Sequence, residues 1–414
     1  MRLLFVNRAH PALPHVSGLR LARFAEALAA RGHEVVLLSG TRPDDVSDAT
    51  PAAAVGAKVA GHDWATPLVL VVEPAPRGAL AALRLGASPA PLRRAATLLE
   101  LIVHLGVDED WSRATAPVLE HLFATWRPEA IWATFGALSN LKVARDAAQA
   151  SSAPWIVDFK DDWELYVKPL LRRHLGWRFR DAAAATSNSA LHGAAAARSF
   201  AGLAPVTLYS GVDEVFISRG PDPSPAGTRE VCVIGATYDD AALGGFIAGF
   251  ERWLAGRTPS ERTTLRLAFL GSDRTRVERV LGARALGCEA ESVERLALPA
   301  LAQRCGRAMA NCFIKYGGIH QKLPELLVVG RPVICFPSET EESRVFARPF
   351  GAAFSSCASP DEVAAALDRA WVARDHAQAP APDLGWRWAD RALQLEALLA
   401  RATTARAVSG RAHA

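Results

Sequence analysis

The chain alternates short apolar runs with helical patterns along most of its 414 residues, which restricts it to few folds. Residues 2–6 form an apolar run, residues 19–31 carry apolar side chains at helical spacing, and residues 34–38 form a second apolar run. Short, continuously apolar runs are typical of parallel strands buried on both faces. Strand, helix and strand in this order predict a parallel sheet covered by helices.

A stretch rich in proline and glycine interrupts this alternation at residues 217–229, and the pattern starts again at residue 230. That composition is typical of a linker, and the chain is too long for one ordinary domain. We therefore predict an α/β protein with two Rossmann-like, doubly wound domains. The predicted segments are an N-terminal domain (1–216), a linker (217–229), a C-terminal domain (230–384), a helix that crosses back to the first domain (385–402) and a frayed tail (403–414).

Composition excludes several classes of protein. The net charge of +4 arises from 47 basic and 43 acidic residues, so no nucleic-acid partner is expected. The six cysteines show no metal-binding spacing, and we expect free buried thiols in a reducing compartment. The apolar run at the N-terminus is too short for a signal peptide, and no run is long enough to span a membrane. These features predict a cytoplasmic protein.

The segment 314–334 has the pattern that carries most chemistry: a strand, the Gly317-Gly318 loop, a helix and another strand. Glycines let a diphosphate approach the backbone, and amides at a helix start attract anions. Lys322 lies in the first turn, where it can meet phosphate, and Glu325 follows one turn later, where it can accept ribose hydroxyls. An ordinary loop with a solvated Lys–Glu pair is the alternative.

This segment resembles the donor-binding motif of the GT4-like glycosyltransferases, a small residue-x-Lys-x-x-Glu pattern followed by a short apolar helix and Gly-Lys/Arg-Pro-Val. By that likeness Lys322 holds the donor diphosphate and Glu325 the nucleotide ribose, while Gly317 stands where the family has a further acid. Residues 2–35, 155–163, 186–189 and 209–216 are similar to other family stretches in the same order. The resemblance implies the GT-B architecture, with the two domains facing each other across a cleft.

The resemblance also implies which residues meet the donor. The segment 233–240 lacks the basic clamp of many relatives, so backbone amides and His320 would help Lys322 to stabilise the leaving diphosphate. The implied reaction retains the anomeric configuration. From the residues themselves we expect neither a cofactor nor a metal, because we interpret Asp161-Asp162 and Asp239-Asp240 as caps or surface residues. The catalytic candidates are Lys322, His320 and Asp161, and the donor-binding candidates are Ser17, Gly18, Gly235, Thr237, Gly317, Gly318, Ile319, Lys322 and Glu325.

The acceptor should bind the first domain. His10 and His15 lie in its first loop and Asp158 ends a strand, so these three are the acceptor-side candidates. The alternative for the two histidines is that they are solvated loop residues. The alternative for Asp158 and Asp161 is a capping or ion-paired role. Basic and apolar residues alternate over 168–180, which indicates either a peripheral membrane contact or a solvated helix face.

The sequence thus predicts a glycosyltransferase that moves a hexose-type sugar from a nucleotide-sugar donor, a UDP-sugar being favoured, to a hydroxyl of an unknown acceptor. The acceptor would be a glycan, a lipid-linked precursor or a natural product. Two alternatives stay open because a fold hosts many functions. One is another sugar-nucleotide enzyme, such as an epimerase, and the other is a non-catalytic protein that binds a nucleotide sugar.

Overall fold

The computed structural model describes most of the chain. The described residues are 1–13, 16–41, 48–218, 229–271, 273–282, 284, 286–294, 296–315, 322–373 and 384–411, with the backbone alone for residues 16 and 407–411. These residues form two compact units. The first unit comprises Met1–Ser210 and Trp388–Ala414, and the second comprises Gly211–Arg387.

The described part of the first unit is built on a seven-stranded parallel sheet, in the order β3-β2-β1-β4-β5-β6-β7. Its central strands are buried on both faces, as the continuous apolar runs predict. The strands are β1 (Arg2–Val6), β2 (Glu34–Gly40), β3 (Leu68–Val72), β4 (Ala130–Thr134), β5 (Trp155–Phe159), β6 (Ala184–Ser187) and β7 (Val206–Thr207).

Helices cover both faces of this sheet. One face packs against α1 and the C-terminal α18, whose Ala392, Leu395 and Leu399 are completely buried; the other face packs mainly against α5, α6 and α8. The helices are α1 (Val16–Ala29), α2 (Val55–Ala60), α3 (Ala79–Leu85), α4 (Ala90–Leu99), α5 (Glu109–Thr125), α6 (Leu138–Ser151), α7 (Trp163–Tyr166), α8 (Pro169–Arg178), α9 (Ala190–Ala197) and α18 (Trp388–Arg411), with a π-helix at Glu100–His104 and a 3-10 helix at Ala52–Ala54.

The described part of the second unit contains a six-stranded parallel sheet, in the order β10-β9-β8-β11-β12-β13. Its strands are β8 (Arg229–Ile234), β9 (Leu265–Leu270), β10 (Glu289–Val293), β11 (Ala310–Ile314), β12 (Val333–Phe336) and β13 (Phe354–Ser356). Its helices are α10 (Glu214–Ile217), α11 (Asp240–Ala255), α12 (Pro259–Thr263), α13 (Arg274–Leu281), α14 (Leu298–Arg307), α15 (Leu323–Val328), α16 (Glu341–Ala347) and α17 (Pro360–Ala373), with a 3-10 helix at Arg348–Ala353.

The α/β architecture of two doubly wound sheets is confirmed, and some details differ from the prediction. The first unit ends at Ser210 rather than at residue 216, because α10 packs with the second unit through the buried Phe216. The predicted tail from residue 403 is helical as far as Arg411, since α18 continues through a run rich in alanine and arginine. Most of the predicted linker lies outside the described residues.

The basic and apolar segment at 168–180 is mostly the helix α8, which is separate from α7 because the restricted backbone of Pro169 begins a new helix. None of the described helices is both long and apolar enough to cross a membrane. All six cysteines are free, as predicted, and all except Cys288 are buried.

Candidate functional site

Both sheets reverse their strand order at one point, and this point locates a candidate site in each unit. In the first unit the order changes direction between β1 and β4, and in the second between β8 and β11. Open parallel sheets bind ligands at the carboxyl ends of the strands beside such a point, because the connections leave in opposite directions and open a crevice there. The residues that follow β1, β4, β8 and β11 are therefore of most interest.

In the first unit, the loop after β1 returns tightly onto the start of α1. A Cβ atom at Gly18 would lie 2.9 Å from the carbonyl oxygen of His10 and 3.4 Å from that of Ala9, so only glycine fits there without movement. The neighbouring Ser17 is buried, with 2% of its surface exposed. Gly18 thus lies in the first turn of α1, and it packs closely against the backbone of residues 9 and 10, which follow β1.

Loops from three strands converge beside Ser17. A Cβ atom built on Gly136, after β4, would lie 3.6 Å from Ser17 Oγ and 3.8 Å from Oδ2 of Asp161, which follows β5. Asp161 accepts a 2.9 Å hydrogen bond from Nζ of Lys160, a lysine with only 6% of its surface exposed. Asp161 itself keeps 26% of its side chain exposed, so this ion-paired carboxylate is open to a ligand at the strand ends.

Asp158 has a different surrounding from the one the sequence suggested. Its carboxylate is completely buried and receives two 2.9 Å hydrogen bonds from the guanidinium of Arg20 on α1. The hydroxyls of Thr134 and Thr186 donate to the same carboxylate. These contacts fit the ion-paired alternative left open above, in which Asp158 ties α1 to the centre of the sheet.

His10 is likewise held within its own unit. Its Nδ1 accepts a 3.1 Å hydrogen bond from the backbone of Ala12, and its Nε2 lies 3.3 Å from the Asp48 carboxylate. The residue is only 9% exposed. Because both ring nitrogens of His10 already have partners, the structure offers no support for the predicted contact with an acceptor hydroxyl. His10 is not a solvated loop histidine either. His15 lies outside the described residues.

In the second unit, the turn after β8 is fixed by Gly235. Its φ of +94° lies in the left-handed region that favours glycine, and its N–H donates to the carbonyl of Leu270 at 2.8 Å. Thr237 follows with 4% of its surface exposed. This turn lies at the carboxyl end of β8, beside the point where the strand order reverses, as a phosphate-binding turn would.

Lys322 and Glu325 lie after the neighbouring strand, β11. Lys322 immediately precedes α15, and its Nζ donates a 2.8 Å hydrogen bond to Glu325 Oε2. The same ammonium lies 5.9 Å from the ring centre of Phe216. Glu325 is only 6% exposed, so the pair is not the solvated one of the alternative interpretation. A partly buried ammonium beside a buried carboxylate is a chemically specific arrangement, because unpaired charges are costly to bury.

The loop between β11 and Lys322 contains the remaining candidates of the donor motif. Gly317, Gly318, Ile319 and His320 all lie outside the described residues, so their predicted roles stay predictions.

Solved structures resemble the whole chain. HepE of Anabaena, in complex with UDP-glucose, matches with a TM-score of 0.57 and 13% identity, covering 100% of both chains. The UDP-forming α,α-trehalose-phosphate synthase of Burkholderia vietnamiensis matches with a TM-score of 0.57 and 15% identity, covering 100% of this chain and 99% of that one. The UDP-GlcNAc 2-epimerase of Methanocaldococcus jannaschii matches with a TM-score of 0.52 and 9% identity, covering 97% and 100%.

The chain has the GT-B fold. At such low identities the likeness shows the fold alone, and the GT4-like subgroup stays a prediction. No protein-family model matches the chain, and its sequence has no significant match among curated proteins.

The acidic pairs Asp161-Asp162 and Asp239-Asp240 were interpreted from the sequence as caps or surface residues. The structure explains three of these four acids in this way. Asp162 accepts from the backbone of Glu164 as the N-cap of α7, and Asp239 caps α11 in the same way. Asp240 is ion-paired with Arg279 at 2.9 Å. Within the described residues, no cluster of three or more His, Cys, Asp or Glu side chains is arranged to hold a metal.

Sequence reasoning missed two polar residues at the strand ends of the second unit, Lys315 and Glu339. Lys160, the buried partner of Asp161, provides the ion-paired role that was left open for that acid. In the second unit, Lys315 follows β11 and donates to the Ser338 carbonyl at 2.9 Å, and Glu339 follows β12 with 2% exposure. Burial raises the pKa of the Glu339 carboxyl. Lysine is rare in this chain, and its presence directly after two buried strands was the available signal.

Proposed function

We propose that this protein is a glycosyltransferase that transfers a hexose-type sugar from a nucleotide-sugar donor to a hydroxyl acceptor. The observation that carries the proposal is the Lys322–Glu325 pair, a partly buried ammonium and a buried carboxylate that follow β11 beside the strand-order reversal of the second unit. That is where a parallel α/β sheet binds a nucleotide. An ammonium and a carboxylate are the groups needed for a diphosphate and for ribose hydroxyls.

The pair can serve both parts of a nucleoside diphosphate. An ammonium has three N–H donors, so Lys322 can hold Glu325 and also donate to a phosphate oxygen. Glu325 has two carboxylate oxygens, and only Oε2 is bonded to Lys322. Its Oε1 is thus available for a ribose hydroxyl in our proposal. In this arrangement Lys322 positions the carboxylate, and the carboxylate keeps the ammonium aimed at the donor.

Departure of the nucleoside diphosphate builds negative charge on its oxygens and positive charge on the sugar ring. Fixed donors aimed at that negative charge lower the barrier. We propose that Lys322 does this together with His320, the turn at Gly235 and Thr237, and the amides of residues 317–319. The configuration at the anomeric carbon would be retained without a metal.

Asp161 is the remaining catalytic candidate of the first unit. Its carboxylate is partly exposed, and the neighbouring Lys160 holds it in place. It can therefore accept a hydrogen bond from an acceptor hydroxyl, or stabilise the positive charge that develops on the sugar ring. Asp158 and His10 take no part in the proposed chemistry because their polar atoms are already bonded within the protein.

UDP is the favoured nucleotide because two of the structurally similar proteins are described with it. HepE was solved with UDP-glucose, and the trehalose-phosphate synthase is UDP-forming. The acceptor would be a glycan, a lipid-linked precursor or a natural product. We also propose a peripheral membrane contact through 168–180, where Leu170 is 95% exposed and Trp177 is 56% exposed.

A second candidate is a sugar-nucleotide epimerase, because one similar structure is a UDP-GlcNAc 2-epimerase of the same fold. Donor turnover separates the candidates. The full chain is incubated with UDP-glucose, UDP-GlcNAc, GDP-mannose or a dTDP-sugar, with and without a panel of glycan, polyprenyl-phosphate-linked and small phenolic acceptors. Nucleotide release and the sugar NMR spectrum are followed together.

The transferase proposal expects nucleotide release that depends on the acceptor, together with a new glycosidic signal. Epimerised or released sugar without an acceptor would instead identify the epimerase. The variant Asp161→Asn should lower turnover and leave donor binding unchanged, whereas Asp146→Asn, a surface acid paired with Lys142, should change neither. Donor binding without any turnover would leave a non-catalytic binding protein as the better account.

A further inference from the structure

Exposed large apolar side chains are concentrated in one segment of the first unit. Between residues 83 and 103, which span the end of α3, α4 and the π-helix, lie many of the large apolar residues that are exposed in the described chain. Exposed apolar residues are normal when scattered, but a contiguous group marks a binding surface. The group, called here the α3–α4 surface, comprises Leu83, Leu85, Leu92, Leu98, Leu99, Ile102 and Val103.

The exposed apolar residues of α4 lie beside a narrow buried strip. Leu92 and Leu99 lie seven residues apart on one side of α4, Leu98 is next to Leu99, and Ile102 and Val103 follow in the π-helix. Ala96, buried to 1% exposure, lies on the same side of α4 between the two leucines, and the equally buried Glu100 follows it. The helix therefore contacts the protein through a narrow strip, and the larger apolar side chains beside this strip stay exposed among the described residues.

The α3–α4 surface is held in place from behind by a buried ion pair. Arg84 Nε donates to the buried Glu100 carboxylate, and Arg84 Nη2 donates to the carbonyl of Val107 at 2.9 Å. Leu105, directly after the π-helix, is part of the main hydrophobic core. These anchors fix the orientation of α4, so the outward position of its leucines is part of the folded structure.

The charges around the α3–α4 surface indicate its partner. The segment 74–99 contains four arginines and no acidic residue. Arg93 and Arg94 on α4 flank the apolar row, and no carboxylate of the described residues forms an ion pair with either. Apolar side chains flanked by arginines form the pattern that lies in the headgroup region of an anionic bilayer, where the arginine heads meet phosphates.

A second copy of this chain fits the surface less well. A twofold dimer would bring the same patch of each protomer together, so the arginines would face like charges without an acid to pair with. Anionic lipid headgroups supply the missing negative charge. We propose that the α3–α4 surface docks this protein on an anionic phospholipid bilayer, independently of whether it transfers sugars.

Co-sedimentation with vesicles tests this proposal on the full chain without any donor. Vesicles of phosphatidylcholine alone are compared with vesicles that also contain phosphatidylglycerol, at low and at high salt. Arg93→Gln/Arg94→Gln should lower the partition coefficient roughly 30-fold, since each basic residue near an anionic surface contributes about fivefold. Leu99→Ser/Val103→Ser should lower it by roughly 10-fold or more.

The variant Leu393→Ser is the matched control, because it removes an exposed leucine of α18 that lies outside both proposed membrane contacts. Leu170→Ser separately tests the other basic segment, at 168–180. Binding to the anionic vesicles that weakens in both α4 variants and at high salt supports the proposal. Equal binding to neutral and anionic vesicles would overturn the proposal. Vesicle binding that weakens in Leu170→Ser but not in the α4 variants would also overturn it, as would a wild-type dimer in sedimentation that the α4 variants dissociate. Circular dichroism of each variant checks that the surface changes leave the fold intact.

Discussion

Replacing Arg20 tests whether the Arg20–Asp158 pair holds the first unit together. Arg20 is 1% exposed, and its guanidinium donates to Asp158 twice and also to the Leu208 carbonyl and the Ser210 hydroxyl. In Arg20→Met the stem keeps its packing, but the buried carboxylate loses its cation and keeps only hydroxyl donors. Leaving one member of a buried pair uncompensated costs about 3–5 kcal/mol.

The double-mutant cycle makes the test specific. Asp158→Asn keeps the size of the side chain, and Arg20 retains its other acceptors, so we expect a smaller loss of about 2 kcal/mol. The double variant Arg20→Met/Asp158→Asn removes both charges and should be more stable than Arg20→Met alone. Arg23→Met, which breaks a surface pair with Glu26 on the same helix, should cost less than about 1 kcal/mol.

Hydrogen exchange of peptides from α1 and β5, measured by mass spectrometry, gives the local free energy of opening within the first unit. This readout avoids fitting one transition to a chain with two units. A cost for Arg20→Met no larger than that for Arg23→Met would refute the structural role of the pair. If Asp158→Asn instead abolishes turnover with unchanged exchange, Asp158 belongs to the chemistry and our assignment is wrong.

Three further predictions concern other parts of the protein. A hydrogen bond from Arg31 lowers the pKa of the Glu396 carboxyl. The ionised carboxylate therefore stabilises the native state at pH values above its unfolded pKa, and this stabilisation is lost as the pH falls. The melting temperature of Glu396→Gln should thus be lower than that of the wild type at neutral pH and should converge with it in acid. Gly18→Ala should destabilise the first unit by about 1–3 kcal/mol, because the new methyl group meets backbone oxygens, whereas Gly56→Ala in α2 meets no close atom and should be neutral or stabilising in urea titrations. Burial raises the pKa of Cys305 to about 12, so the native protein should resist alkylation there until urea unfolds it, as mass spectrometry would show.

The fold was predictable because its strands are buried on both faces. Continuous apolar runs such as residues 2–6 and 155–159 have few other structures available, and both are central strands. The edge strand β10 was missed because its sequence, Glu289–Val293, is largely polar and partly exposed. The helix α3 was missed because its seven residues bury only Ala81, so they show no apolar stripe.

The candidate site was predictable only where its residues lie close together in the sequence. Lys322 and Glu325 are close in sequence, so helical spacing alone brings them together. The surroundings of Asp158 depend on Arg20, which lies 138 residues earlier, and no local pattern reveals such a partner. Long-range pairing therefore decided which acids are structural and which, like Asp161, stay open to a ligand.

Calorimetric titration with nucleotide sugars tests the central claim most directly. UDP-, GDP- and dTDP-sugars are titrated into the wild type and into Lys322→Gln/Glu325→Gln, which removes both charges so that neither is left buried alone. We predict that one donor binds the wild type and the control Lys142→Ala, another paired lysine, with equal affinity. Its affinity for the double variant should fall at least about 10-fold, the loss expected for one hydrogen bond to a charged group. Binding that the double variant retains in full, or no binding of any nucleotide sugar to the wild type, would contradict the account.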